Sequence, residues 1–443
     1  MGHLVRRGLL AVPLLLLSCL TALAVHSPAA AQGGSFDVLT YNVAGLPEII
    51  SSAVTPRKAA HTAIGQRIGP YEIANLQEDF NYHAALYAAD GHPHRTATSG
   101  GAGIGSGLNT VSAYPFRELA RVKWNDCAIN SADCLTPKGF TFLRVRLAEG
   151  VYVDVYNLHA DAGGGAADIS ARAKNLAQLG SYIQTYSADK AVIVMGDTNT
   201  RYTSANERIA EFAAAHGLTD AWVELERGGV PPAQGSPSLP CDDAAPTDAC
   251  EIVDKILYRG DATVALTATD YRNDSALFRE DTSGLMLSDH HPIAATFSWT
   301  PAQAFRLSDP HGGPHGVPFT DVSHLPGAPA TFTLRAGSRV DQVGVTFTDG
   351  RTRAHGGQGG TARTLTLANG EHVVSAKVCQ GLHFLKPRVF ALTLTTSQGR
   401  TLSGGTPTQN CVTHTAPDGH RITAFHGRSG AEIDQLGVIY TPN

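Results

Sequence analysis

The sequence is poor in charged residues and in methionine, and basic residues are not in excess. Only 16% of its 443 residues are charged and 3 are methionine, whereas 46 are glycine and 24 are proline. So little charge with so much glycine and proline excludes a coiled coil. The apolar content of 42% is enough for a core and excludes a wholly disordered chain. The net charge of −5 indicates no general attraction to nucleic acid or to anionic membranes.

Long apolar runs are scarce, and the main one lies near the N-terminus. Arg6 and Arg7 precede the apolar run 9–17, and a stretch of small residues ends at 29–31. This pattern predicts a secretory signal peptide over residues 1–31 and hence a secreted, extracellular protein. No later run of about 20 apolar residues follows, so we expect no transmembrane segment in the mature chain. A lipid anchor at Cys19 is the alternative, but the residues before Cys19 match a lipoprotein signal poorly.

Removal of residues 1–31 leaves an even number of cysteines. The six lie in three neighbouring pairs, namely Cys127 and Cys134, Cys241 and Cys250, and Cys379 and Cys411. Local pairing is the simplest arrangement, and an oxidising compartment would maintain the three disulfides. A zinc site is the alternative, but the sequence has no pair of cysteines with the short CxxC spacing.

Residues 32–299 alternate strand-like and helix-like segments. Apolar residues follow helical spacing at 169–186 and 205–216. Runs of β-branched and aromatic residues predict strands at 36–41, 73–77, 141–146, 151–158, 191–195, 253–258 and 293–298. The mixture predicts an α/β domain. This domain holds 20 Lys and Arg against 31 Asp and Glu, a net charge of −11.

The pattern changes after a linker predicted at residues 300–304. Helical spacing is not seen in residues 305–443, and Asp-Gly and Asn-Gly pairs, which favour hairpin turns, separate the strand-like runs. These runs lie at 330–334, 341–348, 364–367, 389–395 and 433–441. The pattern predicts a second, all-β domain, with 12 Lys and Arg against 8 Asp and Glu.

Polar side chains lie at the ends of nearly every strong predicted strand of the first domain. Those that end or follow a strand are Asn42, Gln77, Glu78, Asn157, His159, Asp197 and Asn199. Asp254 lies near the start of the predicted strand 253–258, and Asp289, His290 and His291 precede the strand 293–298. In a layered α/β domain, strand ends that face one edge build a shared cleft. Each residue alone has an ordinary explanation, such as a turn cap for Asn42 or a buried core position for His159. Their recurrence at strand ends favours one site.

The chemistry of this set indicates metal-assisted attack on phosphorus. A carboxylate, an amide oxygen and waters suit Mg²⁺. Histidines beside carboxylates suit proton transfer near neutral pH. Amide and imidazole donors can stabilise the charge that develops on nonbridging phosphate oxygens.

Six motifs together resemble the endonuclease/exonuclease/phosphatase superfamily, which includes pancreatic-type deoxyribonucleases and secreted neutral sphingomyelinases. In chain order they are TYNVAG, NLQED, YNLHADAG, VMGDTNTRY, CEIVDKILY and LSDHHP. The resemblance covers residues 36–299. It implies an α/β four-layer sandwich, in which two packed mixed β-sheets are flanked by helices.

The resemblance implies a metal site on one side of the cleft. Asn42 and Glu78 would hold Mg²⁺, with Mn²⁺ or Ca²⁺ as alternatives, and Asp289 would complete the electrostatics on the metal side. His291 replaces an aromatic residue common in the relatives and is assigned no role. Asp161 matches no position of the family pattern.

The resemblance also implies an acid–base set on the other side. His290 would be the general base on the attacking water, oriented by Asp254. Asp197 would position the nucleophile, whereas Asn199 and His159 would contact the phosphate and the leaving-group side. The Asp254–His290 pair also makes physical sense, because a carboxylate on one ring nitrogen fixes the tautomer and frees the other nitrogen for a proton.

Residues 305–443 resemble a jacalin-like lectin domain, which implies a β-prism-like fold. The matching pieces are the glycine-rich segment 311–313, the segment 339–341 and the tail 425–440. Within the tail, 430–434 fits the family's G-x-x-x-D loop, so Gly430 and Asp434 are the implied sugar-binding residues. The loop has no aromatic residue to stack on a sugar, and Cys379 and Cys411 lie outside the family pattern. A domain that only stabilises or spaces the enzyme is the alternative.

Three function classes follow. The first is a secreted phosphodiesterase that cleaves a phospholipid headgroup, of sphingomyelin type, with cell-surface glycan bound by the second domain and peripheral contact with the membrane. The second is a secreted nuclease, with other phosphoesters as further substrates, and the third is a lectin with a catalytically idle first domain. The acidic first domain argues against a nuclease, because nucleic-acid affinity depends on basic residues. Against the lipid substrate, the sequence shows no apolar hairpin that would enter a bilayer.

Overall fold

The computed structural model of the protein describes residues 1–2, 32–129, 133–325 and 327–443. All but the first two residues of the predicted signal peptide, Cys19 included, lie outside the described residues. Within those residues, no helix combines the length and apolarity needed to cross a membrane.

The first part of the chain contains twelve strands and five α-helices among the described residues. In chain order they are β1 (Gly34–Asn42), α1 (Arg57–Arg67), β2 (Ile73–Gln77), α2 (His83–Ala89), β3 (His94–Arg95), β4 (Asn109–Ser112), β5 (Phe116–Lys123), β6 (Gly139–Ala148), β7 (Val151–His159), α3 (Ala166–Tyr186), β8 (Ala191–Asp197), α4 (Ile209–Ala215), β9 (Thr219–Asp220), α5 (Ala221–Glu226), β10 (Asp254–Arg259), β11 (Val264–Asn273) and β12 (Ile293–Pro301). Short 3₁₀ helices lie at Asp133–Leu135 and Asp274–Leu277.

These strands form two six-stranded mixed sheets. The first has the order β11-β12-β1-β2-β4-β3 and the second the order β5-β6-β7-β8-β10-β9. In each sheet two central strands are parallel, β1 with β2 and β7 with β8, and their other neighbours are antiparallel. The carboxyl ends of β1 and β2 therefore share one edge, and so do those of β7 and β8.

The alternation of side chains along β1 explains the layers. Phe36 and Val38 belong to the core between the two sheets, whereas Leu39 and Tyr41 belong to a second core with Ile64 of α1. On the other side, Leu179 and Ile183 of α3 belong to the core that the second sheet shares. Helix, sheet, sheet and helix form four layers, which confirms the predicted α/β sandwich.

The last part of the chain is all-β apart from a 3₁₀ turn at Val322–His324. Its strands are β13 (Arg306–Leu307), β14 (His311–Gly312), β15 (Val317–Thr320), β16 (Pro329–Ala336), β17 (Val340–Phe347), β18 (Thr352–Gly356), β19 (Thr361–Thr366), β20 (Val373–His383), β21 (Lys386–Thr396), β22 (Thr401–Gly405), β23 (Asn410–Thr415), β24 (His420–Ser429) and β25 (Ile433–Pro442). They build a four-stranded sheet, β18-β17-β16-β19, and a nine-stranded sheet.

The nine-stranded sheet divides into two halves, because β20 joins β24 only where Val373 pairs with Ile422. These two halves and the four-stranded sheet form three sides around one core, to which Phe332, Leu392 and Phe425 each contribute. The predicted β-prism-like domain is confirmed. At the boundary, β12 continues to Pro301, so the first residues of the predicted linker belong to the first sheet.

All three local disulfides are present and confirm the predicted pairing. They join Cys127 to Cys134, Cys241 to Cys250 and Cys379 to Cys411. The third links β20 to β23 at a position where the two cysteines are direct cross-strand partners.

Buried charges hold the two parts of the chain together. Arg428 of β24 donates from Nη1 to Oε2 of Glu118 in β5 at 2.7 Å, and Arg144 of β6 contacts the same oxygen at 3.1 Å. The Glu118 and Arg428 side chains are only 3% and 5% exposed. Asp309 forms a second junction, where it accepts hydrogen bonds from Arg146 and Tyr152. Because isolated buried charges are costly, these ion pairs restrict how the two parts can separate.

Glu118→Gln tests this junction. We expect the free energy of unfolding to fall by about 3 kcal/mol, because two buried guanidinium groups lose their shared negative partner. Urea denaturation followed by fluorescence measures the change.

The matched control is Glu211→Gln, whose carboxylate forms an exposed pair with Arg208. It should change the stability by no more than about 0.5 kcal/mol. Equal effects of the two variants would contradict the importance of the buried pair.

Candidate active site

The facing sheets bring two strand ends together. Asn42 ends β1 and points to the same face as Phe36 and Val38, so its side chain continues the inner face of the first sheet. Asp197 ends β8 of the second sheet, and Asn42 Nδ2 lies 3.1 Å from Asp197 Oδ2. Both side chains are buried. Two residues 155 positions apart in sequence therefore meet between the sheets.

The Asp197 carboxylate is surrounded by donors. Its Oδ1 accepts the backbone N–H of Asn199 at 3.0 Å. Its Oδ2 lies 3.3 Å from His159 Nε2 and 3.7 Å from His290 Nε2. Burial alone would raise the pKa of Asp197, but the adjacent charge of His290 and the ring of His159 lower it overall. Asp197 is thus held as a carboxylate.

His290 is held between two carboxylates. Its Nδ1 forms a 3.0 Å hydrogen bond with Asp254 Oδ2. Asp254 of β10 pairs directly across from Asp197 of β8, so two buried carboxylates lie side by side. Although burial would lower it, Asp254 and Asp197 raise the pKa of His290 to about 10. The ligand atoms of these three residues lie within 4.8 Å of one another.

Glu78 occupies the outer side of the same pocket. Its Oε1 accepts from Asn42 Nδ2 at 3.2 Å. Burial raises its pKa, against the opposing influence of His290 and Lys138. Its backbone φ is +54°, and Ala44 and Asn199 also have positive φ values of +50° and +51°. Such strained non-glycine conformations concentrate at functional sites.

The donor set fits a hard divalent cation. The carboxylates of Glu78 and Asp197 both accept from Asn42 Nδ2, and Asp254 lies behind the His290 ring. Oxygen ligands are those that Mg²⁺ prefers. Glu78 is suited to hold the ion. Asn42 presents its Nδ2 to this pocket, since its Oδ1 accepts the Ala44 N–H at 3.1 Å. Ligation by the Asn42 oxygen therefore requires the amide to turn over.

Asn199, His159 and Asp289 differ in how they enter the pocket. The Asn199 amide donates to the Ala160 carbonyl at 3.2 Å. His159 is buried, burial lowers its pKa to about 3, and its Nδ1 has no hydrogen-bond partner. Asp289 is exposed, and its nearest hydrogen-bond donor is the Ser288 hydroxyl at 3.3 Å. The structure thus places these three around the Asp197–His290 centre, with Asp289 at its solvent side.

The residues without a predicted role lie beside the pocket. His291 Nδ1 lies 2.8 Å from the Ser275 hydroxyl, and its Nε2 lies 3.2 Å from Asp243. Asp161 accepts the Ala128 N–H at 2.8 Å, and burial raises its pKa to about 6. His291 thus contacts residues other than those of the Asp197–His290 centre.

Lys138 is a site residue that the sequence reasoning missed. It pairs with Asp133, its side chain is 13% exposed, and its charge lowers the pKa values of Glu78, His159 and Asp197. Lys138 precedes β6, which runs antiparallel to β7, so the start of β6 lies beside the end of β7. A search of the carboxyl ends of strands and of the six motifs passes over such a residue.

Arg57 was also missed, and it ties the two halves of the site together. Its guanidinium is fully buried. It donates to the Val43 and Ala44 carbonyls at 2.7 and 2.9 Å, and to the Leu287 carbonyl at 2.9 Å. The segment after Asn42 is thereby fixed to the segment before His290. Arg57 opens a short helix, where an arginine gives no sequence signal of this role.

The predicted sugar loop lies in the other part of the chain. Asp434 is buried, and its Oδ1 lies 2.9 Å from Arg388 Nε. Gly430 is exposed, and a side chain there would begin 3.8 Å from Asp434 Oδ2. A side chain at Gly316 would clash with the same oxygen at 2.3 Å. The two glycines therefore leave space beside Asp434.

Two family models match the chain. Residues 43–230 match the endonuclease/exonuclease/phosphatase family 2, and residues 308–439 match the jacalin-like lectin domain.

The relatives fall into the same two groups. A sphingomyelinase of Mycobacterium tuberculosis is 40% identical over 285 residues, which are 62% of this chain and 55% of that protein. The chain thus spans about half the length of these relatives. Horcolin of Hordeum vulgare is 30% identical over 139 residues, which are 30% of this chain and 94% of horcolin.

A solved structure is similar to the first part. The crystal structure of a beta toxin variant from Staphylococcus aureus with bound magnesium ions is 15% identical, with a TM-score of 0.42, and the match covers 59% of this chain and 99% of the toxin. By the two matched family models, the chain carries an endonuclease/exonuclease/phosphatase domain in its first part and a jacalin-like lectin domain in its last part.

Proposed function

We propose that the protein is a secreted, Mg²⁺-dependent phosphodiester hydrolase that cleaves the headgroup of a sphingomyelin-type phospholipid. The observation that carries this proposal is the meeting of Glu78 and the Asp254–His290 pair in one pocket, bridged by Asn42. Asn42 Nδ2 lies 3.2 Å from Glu78 Oε1 and 3.4 Å from His290 Nε2. A metal-binding carboxylate and an oriented imidazole are thus within reach of one bound phosphate.

The Asp254–His290 pair supplies the proton acceptor. Because Asp254 bonds Nδ1, the Nε2 atom faces the pocket and can take the proton of an attacking water. Glu78 would hold a divalent cation, whose positive charge would polarise the phosphate and disfavour the protonated form of His290. Asp197 contacts both the His290 and the Asn42 side chains, so that these two groups keep fixed positions relative to the water and the phosphate.

The leaving-group side is assigned to Asn199 and His159. His159 stays neutral at physiological pH, because its pKa is about 3. The proximity of its Nε2 to Asp197 favours the tautomer in which Nε2 carries the proton. Lys138 adds a positive charge at the start of β6 that is suited to attract a phosphodiester.

A phospholipid substrate is supported over nucleic acid by two observations. The relatives with 40% identity are named sphingomyelinases. The first domain also has a net charge of −11, whereas nucleic-acid binding draws its affinity from basic residues that displace counterions. Export from the cell is supported by the N-terminal pattern and by three disulfides, which persist in oxidising compartments.

The C-terminal domain is proposed to bind a glycan on the target surface. Gly430 and Asp434 lie in the matched jacalin-like region, and Gly430 and Gly316 place no side chain against the buried Asp434 carboxylate. Sugar hydroxyls can bond both the carboxylate and backbone N–H groups, without a metal.

His290→Ala tests the hydrolase. We expect the wild-type protein to release choline phosphate from sphingomyelin vesicles without nicking plasmid DNA. In the variant, kcat should fall by at least about 10²-fold, the usual loss for a general base. Both substrates are assayed with Mg²⁺ and purified mature protein.

His291→Ala is the matched control, because this neighbouring ring bonds Ser275 and Asp243 instead of the centre. It should retain activity within about threefold. Normal turnover of a folded His290→Ala variant would contradict the assigned base, and DNA nicking without choline phosphate release would favour a nuclease.

Glu78→Gln tests the metal site. We expect EDTA to abolish hydrolysis and Mg²⁺ to restore it. In the variant, the Mg²⁺ concentration for half-maximal activity should rise at least about tenfold, since a charged ligand is lost. The rise in melting temperature that Mg²⁺ produces in the wild type should shrink in parallel.

The control for that experiment is Glu211→Gln, which removes an exposed carboxylate of α4. Activity that survives excess EDTA, or an unchanged Mg²⁺ requirement in Glu78→Gln, would remove this metal assignment.

Asp434→Ala tests the lectin domain. We expect the wild-type protein to be retained on at least one glycan of an immobilised panel and the variant to lose that retention, because the carboxylate that bonds sugar hydroxyls is gone. Activity on sphingomyelin vesicles without glycan should be unchanged. No retention of the wild type on any glycan would favour a scaffold role.

A further inference from the structure

Exposed aliphatic side chains surround the segment that carries Glu78. Ile49, Ile50, Val54, Ile104 and Leu135, here called the aliphatic rim, are between 62% and 93% exposed. They come from three separate loops, 43–56, 97–108 and 133–138. None of these loops is an apolar hairpin, which is why the sequence pattern alone does not reveal the rim.

Hydrogen bonds show that the first two loops are neighbours. The Asn81 N–H donates to the Gly45 carbonyl at 3.1 Å, and the Ala102 N–H donates to Asn81 Oδ1 at 3.3 Å. The Glu48 N–H donates to the Tyr82 hydroxyl at 3.2 Å. Residues 78–82 therefore anchor both loops.

The third loop adjoins the second. A side chain built on Gly103 would begin 3.8 Å from the Leu135 carbonyl. The Asp79 N–H donates to the Gly107 carbonyl at 2.9 Å, and the Gly45 N–H donates to the Glu78 carbonyl at 2.9 Å. The first loop thus attaches to the Glu78 backbone and the second to its neighbour Asp79, beside the pocket.

The rim is nearly free of charge. Residues 97–108 contain no charged side chain, and 43–56 contain only Glu48, whose carboxylate accepts the Arg57 N–H at 2.9 Å. Asp133 and Lys138 of the third loop are paired with each other. Such a surface has no excess of basic side chains to bind a polyanion, whereas isolated aliphatic side chains lose unfavourable contact with water when they enter a lipid interface.

We infer that the aliphatic rim docks on a bilayer of zwitterionic phospholipid and so presents the pocket to headgroups. The inference rests on the proposed function, because a headgroup diester lies at the membrane surface. Binding proceeds by insertion of apolar side chains, so it depends little on salt. The lectin domain can then act separately, on glycans.

Sedimentation with vesicles tests the inference. The vesicles contain only phosphatidylcholine and sphingomyelin, so that no glycan contributes, and a His290→Ala background prevents turnover. We expect the double variant Ile49→Ser/Ile50→Ser to lower the partition coefficient by about tenfold or more. An increase in NaCl from about 0.1 M to about 0.5 M should leave wild-type binding unchanged.

The matched control is Leu382→Ser/Leu385→Ser, which removes two equally exposed leucines from the β20–β21 hairpin of the C-terminal domain. It should bind vesicles as the parent does. With His290 restored, the rim variant should hydrolyse a soluble aryl phosphodiester within about twofold of the wild-type rate, because the rim residues touch no reacting group.

Three results would overturn this inference. The first is wild-type protein that fails to sediment with vesicles, and the second is rim variants that bind vesicles as well as the parent does. The third is a rim that mediates dimers, which would show as light scattering that changes in the rim variants, without vesicle binding. Rim-dependent vesicle binding by a wild-type protein that hydrolyses no phosphodiester would support the rim and count against the proposed hydrolase, so the two failures are distinguishable.

Discussion

The buried carboxylate of Asp197 is the group on which the arrangement of the site depends. It accepts the Asn42 amide from the other sheet at 3.1 Å and lies 3.3 Å from His159 and 3.7 Å from His290. A charge in the interior is costly unless it is paired. The donors around Asp197 are therefore held in place by the cost of leaving it uncompensated. Asp254 pairs directly across from Asp197 and adds a second buried carboxylate. The His290 ring lies beside both carboxylates and compensates their charge.

The same scaffold links the chemistry to the surface around it. Arg57 fixes the segments that carry Asn42 and precede His290, while residues 78–82 hold both Glu78 and the loops of the aliphatic rim. Because a site built on strand ends and anchored loops keeps its geometry, the distance from the rim to the pocket is set by the fold. The buried Glu118–Arg428 pair extends this to the C-terminal domain, because it restricts how that domain can turn relative to the first part of the chain.

Strand-end reasoning located most of the pocket, and its misses have physical causes. Asn42, Glu78, His159 and Asp197 end or follow strands that are strongly apolar, and Asp254 and His290 open or precede such strands, so their positions show in the sequence. Lys138 also precedes a strand, but it lies in none of the six family motifs. Arg57 opens α1, which is built largely of small and polar residues. Such a helix has little apolar periodicity, and α1 and α2 were accordingly not predicted. The predicted helix 205–216 begins later, at Ile209, because residues 202–206 form turns and Asn206 has a positive φ of +65°.

The sequence by itself determined the features that rest on neighbours along the chain, namely the two-part organisation, the three local disulfides, the fold class and the residue types of a metal and acid–base site. Only the tertiary structure decided which of those residues touch, since Asn42 and His290 are 248 positions apart. It also decided which way the Asn42 amide faces, how two carboxylates raise the pKa of His290, and which scattered aliphatic residues form one rim. Burial and charge compensation depend on groups that meet through folding, and no local pattern contains that information.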